Sequence, residues 1–135
     1  MMARFLELQL EHLAALGEQR IALQQRLATE QQRERQLAEL LKNLGMTLDL
    51  RQGLVRDNYY QMQRNLERLL MQQKDKVVVA GQELAQMDAT WRAQLGKVKG
   101  LELLQKQRAQ AEQVRQNRQE QRILDEFNTV SYSRD

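Results

Sequence analysis

The 135-residue chain has no cysteine and no proline, six glycines, and aromatic side chains at only 4 per cent of its positions. Without cysteine there is no disulfide, no thiolate nucleophile and no cysteine-ligated metal, a composition compatible with a reducing cytoplasm. Without proline, the strongest interior helix breaker is missing. So few aromatics leave a compact globular core short of the bulky side chains that normally fill one. Long apolar runs are also lacking. The longest, Val77 to Ala80, is far too short to cross a bilayer. The opening segment MMARFLELQLEHLAALGEQR carries Glu7, Glu11 and His12 where a secretory signal needs an uninterrupted apolar stretch. We therefore expect neither membrane insertion nor export by a signal sequence.

Charge of one sign does not dominate either. The 21 basic and 18 acidic residues give a net charge of +3 and are interspersed along the chain. That pattern is the solvated face of long helices rather than a phosphate-binding stripe, so nucleic acid is not an expected partner. Catalytic inventory is equally thin. The single histidine, His12, lies beside Glu11 on a polar stretch and reads as a surface residue. No metal-ligand cluster, phosphate-cradling glycine loop or nucleophile–base pair is visible, so the expectation is a non-enzyme with no catalytic residue, metal or cofactor. Gly96 and Gly100 have the spacing of a close-packed membrane helix, but Lys97 and Lys99 exclude that context and leave at most a softer place in a helix.

What the sequence does contain is helix formers in a heptad repeat. Steps of three and four from Met2 meet Leu6, Leu13, Leu16, Leu23, Leu27, Leu37, Leu41, Leu44 and Leu48, interrupted by Gln9, Arg20, Glu30 and Glu34. A sustained repeat of this kind is a coiled-coil seam. The regularity breaks at LGMTLDLRQGLVRDN, where Gly45 and Gly53 bracket a candidate chain reversal and Asp57 or Asn58 can cap a new helix. A second seam follows through Tyr59, Leu66, Leu70, Val77, Ala80, Leu84, Met87, Trp91, Val98 and Leu101, interrupted only by glutamine at Gln63, Gln73, Gln94 and Gln105.

Two helices with seams of matched length and a short connection fold back on each other. The predicted fold is all-α: an elongated antiparallel two-helix coiled coil, one α-hairpin over residues 1–135. Helix 1 covers about 2–48, the connection about 49–57, helix 2 about 58–127, and a disordered tail 128–135. Folding there sets Leu44 opposite the region of Asn58 and Met2 opposite the region of Gly100. Helix 1 then runs out of chain, and helix 2 continues as QKQRAQAEQVRQNRQEQR, where the seam phase meets Arg108, Glu112, Arg115, Gln119 and Arg122. Helix 2 is thus the longer helix, with a C-terminal helical overhang of residues 105–122 projecting on the order of 25 Å. It ends on the apolar pair Ile123 and Phe127, one turn apart.

Apolar side chains left over from the seam fall at both ends. Met62 and Leu69, seven residues apart, either widen the seam or form an apolar patch for a partner. Met1, Phe5, Leu8 and Leu10 surround helix 1 with more apolar surface than one neighbouring helix covers; a frayed terminus or a second contact accounts for them. Tyr59 and Trp91 lie on the seam and read as packing residues rather than base-stacking platforms with Tyr60. A generic self-associating coiled coil is compatible with this surplus, as is a bridge between two partners.

Helix 2 also resembles the flagellar FliJ family of the type III export apparatus. The residues that carry the resemblance are Tyr60-Gln61, Leu66-Glu67, Trp91-Arg92 and Asp125-Glu126-Phe127, with Gln36-Leu37 in helix 1. The family fold is an antiparallel two-helix coiled coil similar to the rotor stalk of rotary ATPases. The resemblance implies a cytoplasmic protein, peripheral at the base of the export apparatus and monomeric when free. It implies three kinds of partner: a hexameric export ATPase (FliI-like) that holds the end carrying the termini, the cytoplasmic domain of the export gate (FlhA-like), and export chaperones. Carried over by position, the gate contact falls on Gln36, Leu40, Met62, Leu66, Leu69 and Gln73. The chain departs from the family pattern at Asn43 and Thr47, in place of tyrosines, and at Met62, in place of phenylalanine. Candidates for the ATPase contact, chosen from position and apolar surplus, are Met1, Met2, Phe5, Leu8, Arg115, Arg118, Arg122, Ile123 and Phe127. A homologous stalk of a virulence type III secretion system is the alternative.

Overall fold

The computed structural model describes residues 1–46 and 53–133, and these form two α-helices: α1, Met2–Met46, and α2, Gly53–Ser133. Their 45 and 81 residues are rich in alanine, leucine, glutamine, glutamate and arginine, the side chains that lose least freedom in a helix. Among the described residues there is no strand and no backbone with positive φ.

The chain divides into two units, Ala14–Ala93 and Met1–Leu13 with Gln94–Asp135. In the first, Gly45 lies by Tyr59, Glu30 by Gln73, Arg26 by Glu83 and Gly17 by Trp91, so positions rise along α2 as they fall along α1. In the second, Gln9 meets Gln94 and Met2 meets Arg108 in the same sense. Within each unit the helices therefore pair antiparallel, and the fold is a helical hairpin with α2 the longer helix.

The seams are where the heptads place them. Every described seam position from Met2 to Leu44 on α1 and from Tyr59 to Gln105 on α2 is buried or half-buried. Off the seam, only Gly17, Gly81, Glu83, Asp88 and Leu95 share that shielding among the described side chains. Leu16, Ala80 and Val98 are the most enclosed apolar side chains. A two-helix seam buries each residue from one side only, which is why most of it stays half-exposed.

The boundaries differ from the sequence expectation in places. Residues 47 and 48, expected in helix 1, and 49–52, expected in the connection, lie outside the described residues. Residues 53–57 are helical rather than connection, and Asp57 and Asn58 sit inside α2 rather than capping it. Glycine is tolerated at a helix start, and Leu54, Val55 and Arg56 carry nothing that stops a helix. At the other end α2 continues past Phe127 to Ser133, through residues expected as a disordered tail. No proline or glycine interrupts it there, and the Thr129 hydroxyl donates to the Asp125 carbonyl at 2.8 Å, spending its polarity inside the helix. Beyond Gln105, every side chain from Lys106 to Ser131 is exposed.

Candidate partner-binding surfaces

Two pairs of the polar residues that interrupt the seams face one another, Glu30 with Gln73 and Gln9 with Gln94. In the Ala14–Ala93 unit the buried Gln73 amide donates to the Glu30 backbone carbonyl at 2.9 Å and to the Glu30 carboxylate. Arg33, one turn along α1, donates to the other carboxylate oxygen at 3.1 Å. Arg20 lies over the Trp91 ring, 4.4 Å from its centroid, with Nε 2.8 Å from Asp88 Oδ1. That N–H is not aligned for a hydrogen bond, so the contact is an ion pair on a cation–π stack. Asp88 also pairs with Arg92 at 3.0 Å. Gly17 lies against the indole, which would be in ordinary van der Waals contact, 3.6 Å, with a β-carbon at that position. In the other unit the Gln94 amide donates to the Gln9 backbone carbonyl at 3.1 Å and to the Gln9 side-chain oxygen at 2.9 Å. Sequence reading counts Gln9, Arg20, Glu30, Gln73 and Gln94 as interruptions. The signal that pairs them is there nonetheless, since folding the seams together brings Glu30 level with Gln73.

The gate-contact residues implied by the resemblance all fall in the Ala14–Ala93 unit, but not on equal terms. Leu40, Met62 and Leu69 are large apolar side chains left half in water, Met62 at 53 per cent and Leu69 at 48 per cent exposure, and Gln36 is exposed. Heptad spacing puts Leu40 of α1 and Met62 and Leu69 of α2 on the same flank of the seam. Leu66 is a half-buried seam residue. Gln73, at 6 per cent exposure, is committed to Glu30 and offers a partner almost nothing. The surface that remains is an apolar patch bordered by Gln36, with Leu66 and Gln73 beneath it. Asn43 is exposed on the same helix, and Thr47 lies outside the described residues.

The ATPase candidates fall in the Met1–Leu13 and Gln94–Asp135 unit. Met1, Phe5 and Leu8 are exposed, with the Lys97 ammonium 5.8 Å from the centre of the Phe5 ring. Met2 is half-buried, and Arg108 reaches back so that its Nη1 lies 3.4 Å from the Met2 sulfur. Along α2, Arg115 forks onto Glu112 with contacts of 2.7 and 3.1 Å. The hydrogen bond from Arg115, reinforced by its charge, holds the Glu112 carboxyl below the usual carboxylate range. Arg118 and Arg122 are exposed. Ile123 and Phe127 are exposed too, Phe127 at 71 per cent. Val130, which sequence reading consigned to the tail, is a helical residue less than one turn further on and extends this apolar face.

His12 is exposed, and among the described residues no group of histidine, aspartate and glutamate side chains is arranged to hold a metal ion. No helix of the described residues is long and apolar enough to cross a membrane. Exposed apolar side chains form a patch on one unit and lie at the N-terminus and near the end of the helical extension on the other.

Comparison with curated proteins and with solved structures yields no match. The family model of the flagellar FliJ protein, by contrast, matches residues 3–135, α1 and α2 together with the exposed extension. The chain belongs to the FliJ family of flagellar proteins.

Proposed function

We propose that this FliJ-family chain is the central stalk of a hexameric, FliI-like export ATPase, promoting its assembly and activity and linking it to the FlhA-like export gate and to export chaperones. It acts by contact rather than catalysis, needs no cofactor, and works in the cytoplasm at the base of the export apparatus as a monomer when free. The observation that carries this reading is the run of exposed helix from Lys106 to Ser131. A helix with no seam residues gains little from packing within its own chain and is held by propensity and local pairs such as Glu112 with Arg115. Its apolar end, Ile123 and Phe127, suits insertion into a ring that encloses it from all sides. Met1, Met2, Phe5, Leu8, Arg115, Arg118 and Arg122 complete the proposed ATPase contact. Gln36, Leu40, Met62 and Leu69, supported by Leu66 and Gln73, form the proposed gate contact. The flagellar family match favours this setting over a virulence secretion system.

Truncation after Leu104 tests the reading. Among the described side chains it removes only exposed ones and the half-buried Gln105, so the shortened chain keeps its seams up to Leu101. Full-length protein is expected to stimulate the purified export ATPase and the truncated chain to leave it at its basal rate. Equal stimulation by both chains refutes the assignment of the extension.

A further inference from the structure

We propose that the Glu30–Gln73 pair is a register key, which selects one alignment of α1 against α2 from several that the heptads alone permit. The apolar seam cannot make that choice. Sliding one helix by a heptad, about 10.5 Å, returns seam positions to seam positions. Polar contacts across the seam break this degeneracy, and of these Glu30 with Gln73 is the one in which both residues are buried, the others being Gln9 with Gln94 and Arg20 with Asp88 and Trp91. After a slip in one direction Glu30 faces Leu66 and Gln73 faces Leu23; in the other, Glu30 faces Ala80 and Gln73 faces Leu37. In either case a buried carboxylate and a buried amide lose each other, and the Glu30 backbone carbonyl loses its second donor. Each unpaired group disfavours the slipped state by at least about fivefold. In its own register the pair is satisfied from both helices, with Arg33 on the remaining carboxylate oxygen.

Stability is not what such a pair contributes best. A buried polar pair does no better than leucines of similar volume, and a polar group in a coiled-coil seam specifies alignment at a cost in stability. Alignment has a consequence for the surface outside. Leu40 is on α1, whereas Met62 and Leu69 are on α2, so a one-heptad slip would move Leu40 by about 10.5 Å, from the level of Met62 to that of Leu69 in one direction and beyond Met62 in the other, and so change the shape of the patch.

The test uses the absence of native cysteine, which makes introduced thiols unambiguous. Counting one heptad from Glu30 and Gln73, Leu37→Cys with Leu66→Cys reports the native register. Leu37→Cys with Tyr59→Cys, and Leu44→Cys with Leu66→Cys, report the two slips. Each pair is oxidised in the full chain, in the parent background and with Glu30→Leu plus Gln73→Leu. Intramolecular disulfides are read by mass, and links between copies are counted with the slipped pairs, since both are alignments the key excludes. In the parent only the native pair is expected to close. In the leucine variant the ratio of slipped to native links is expected to rise at least about tenfold, with a melting temperature equal to or above the parent's. The exchange Glu30→Gln with Gln73→Glu rebuilds the pair from opposite sides and is expected to restore a single register. A leucine variant that closes only the native pair overturns the proposal and transfers register choice to the remaining cross-helix contacts, Gln9 with Gln94 and Arg20 with Asp88 and Trp91, and to the connection between the helices. Slipped links in the parent, unfolding of the leucine variant, or slipped links in the exchange variant overturn it equally.

Discussion

Changing Met62 and Leu69 together to aspartate asks whether these residues are partner surface or core. Both are about half exposed, so about half of the 1.5–3 kcal/mol that full burial of such a side chain is worth is at stake, roughly 1 kcal/mol each. Aspartate is also a poorer helix former, adding about 0.5 kcal/mol per site. The variant should therefore lose at most roughly 3 kcal/mol and remain fully helical in the absence of denaturant. Leu70, on the seam next to Leu69, is the contrasting case, because aspartate there pushes a carboxylate into the interface between helices. Urea unfolding followed by circular dichroism measures both. Binding to the purified cytoplasmic domain of the export gate, by calorimetry, supplies the functional readout. The expected result is loss of gate binding in the Met62→Asp, Leu69→Asp variant with helicity retained, and a larger loss of stability in Leu70→Asp. If the double variant unfolds in buffer, or binds the gate as tightly as the parent, the patch is not the contact.

Leu16→Ala removes one of the most enclosed side chains of the seam and should lower unfolding free energy by about 2–3 kcal/mol, measured by the same denaturation. At Glu112, the Arg115 contact holds the carboxyl below its ordinary range, so its support of the extension is present above that range and is lost as pH falls through the folded-state value. Hydrogen exchange of the full chain should accordingly show residues 106–122 losing protection on acidification, with a smaller pH response after Glu112→Gln.

How much of this was legible beforehand differs from feature to feature. Leucines at steps of three and four made both seams readable, because a helix buries one stripe and the stripe is a property of spacing alone. The extension beyond Gln105 was readable for the same reason, as the place where the spacing meets only polar side chains. Ends were less so. Asp57 and Asn58 look like caps, but a helix started at Gly53 had already satisfied the local geometry, and the run to Ser133 depended on continuity with the helix before it.

For the candidate surfaces, sequence distinguished surplus apolar residues from seam residues but could not rank the gate positions. Heptad phase put Leu66 and Gln73 on the seam and Gln36 off it, but only pairing with the other helix shows that Gln73 is spent on Glu30. By itself, then, the sequence determined an all-helical chain, two seams, an unpaired extension and membership of the FliJ family. Tertiary structure decided the partners of the polar interruptions: Glu30 with Gln73, Gln9 with Gln94, and Arg20 with Trp91 and Asp88. The physical reason is that periodicity specifies which face of a helix is buried, whereas the cost of burying a polar group depends on what stands across from it.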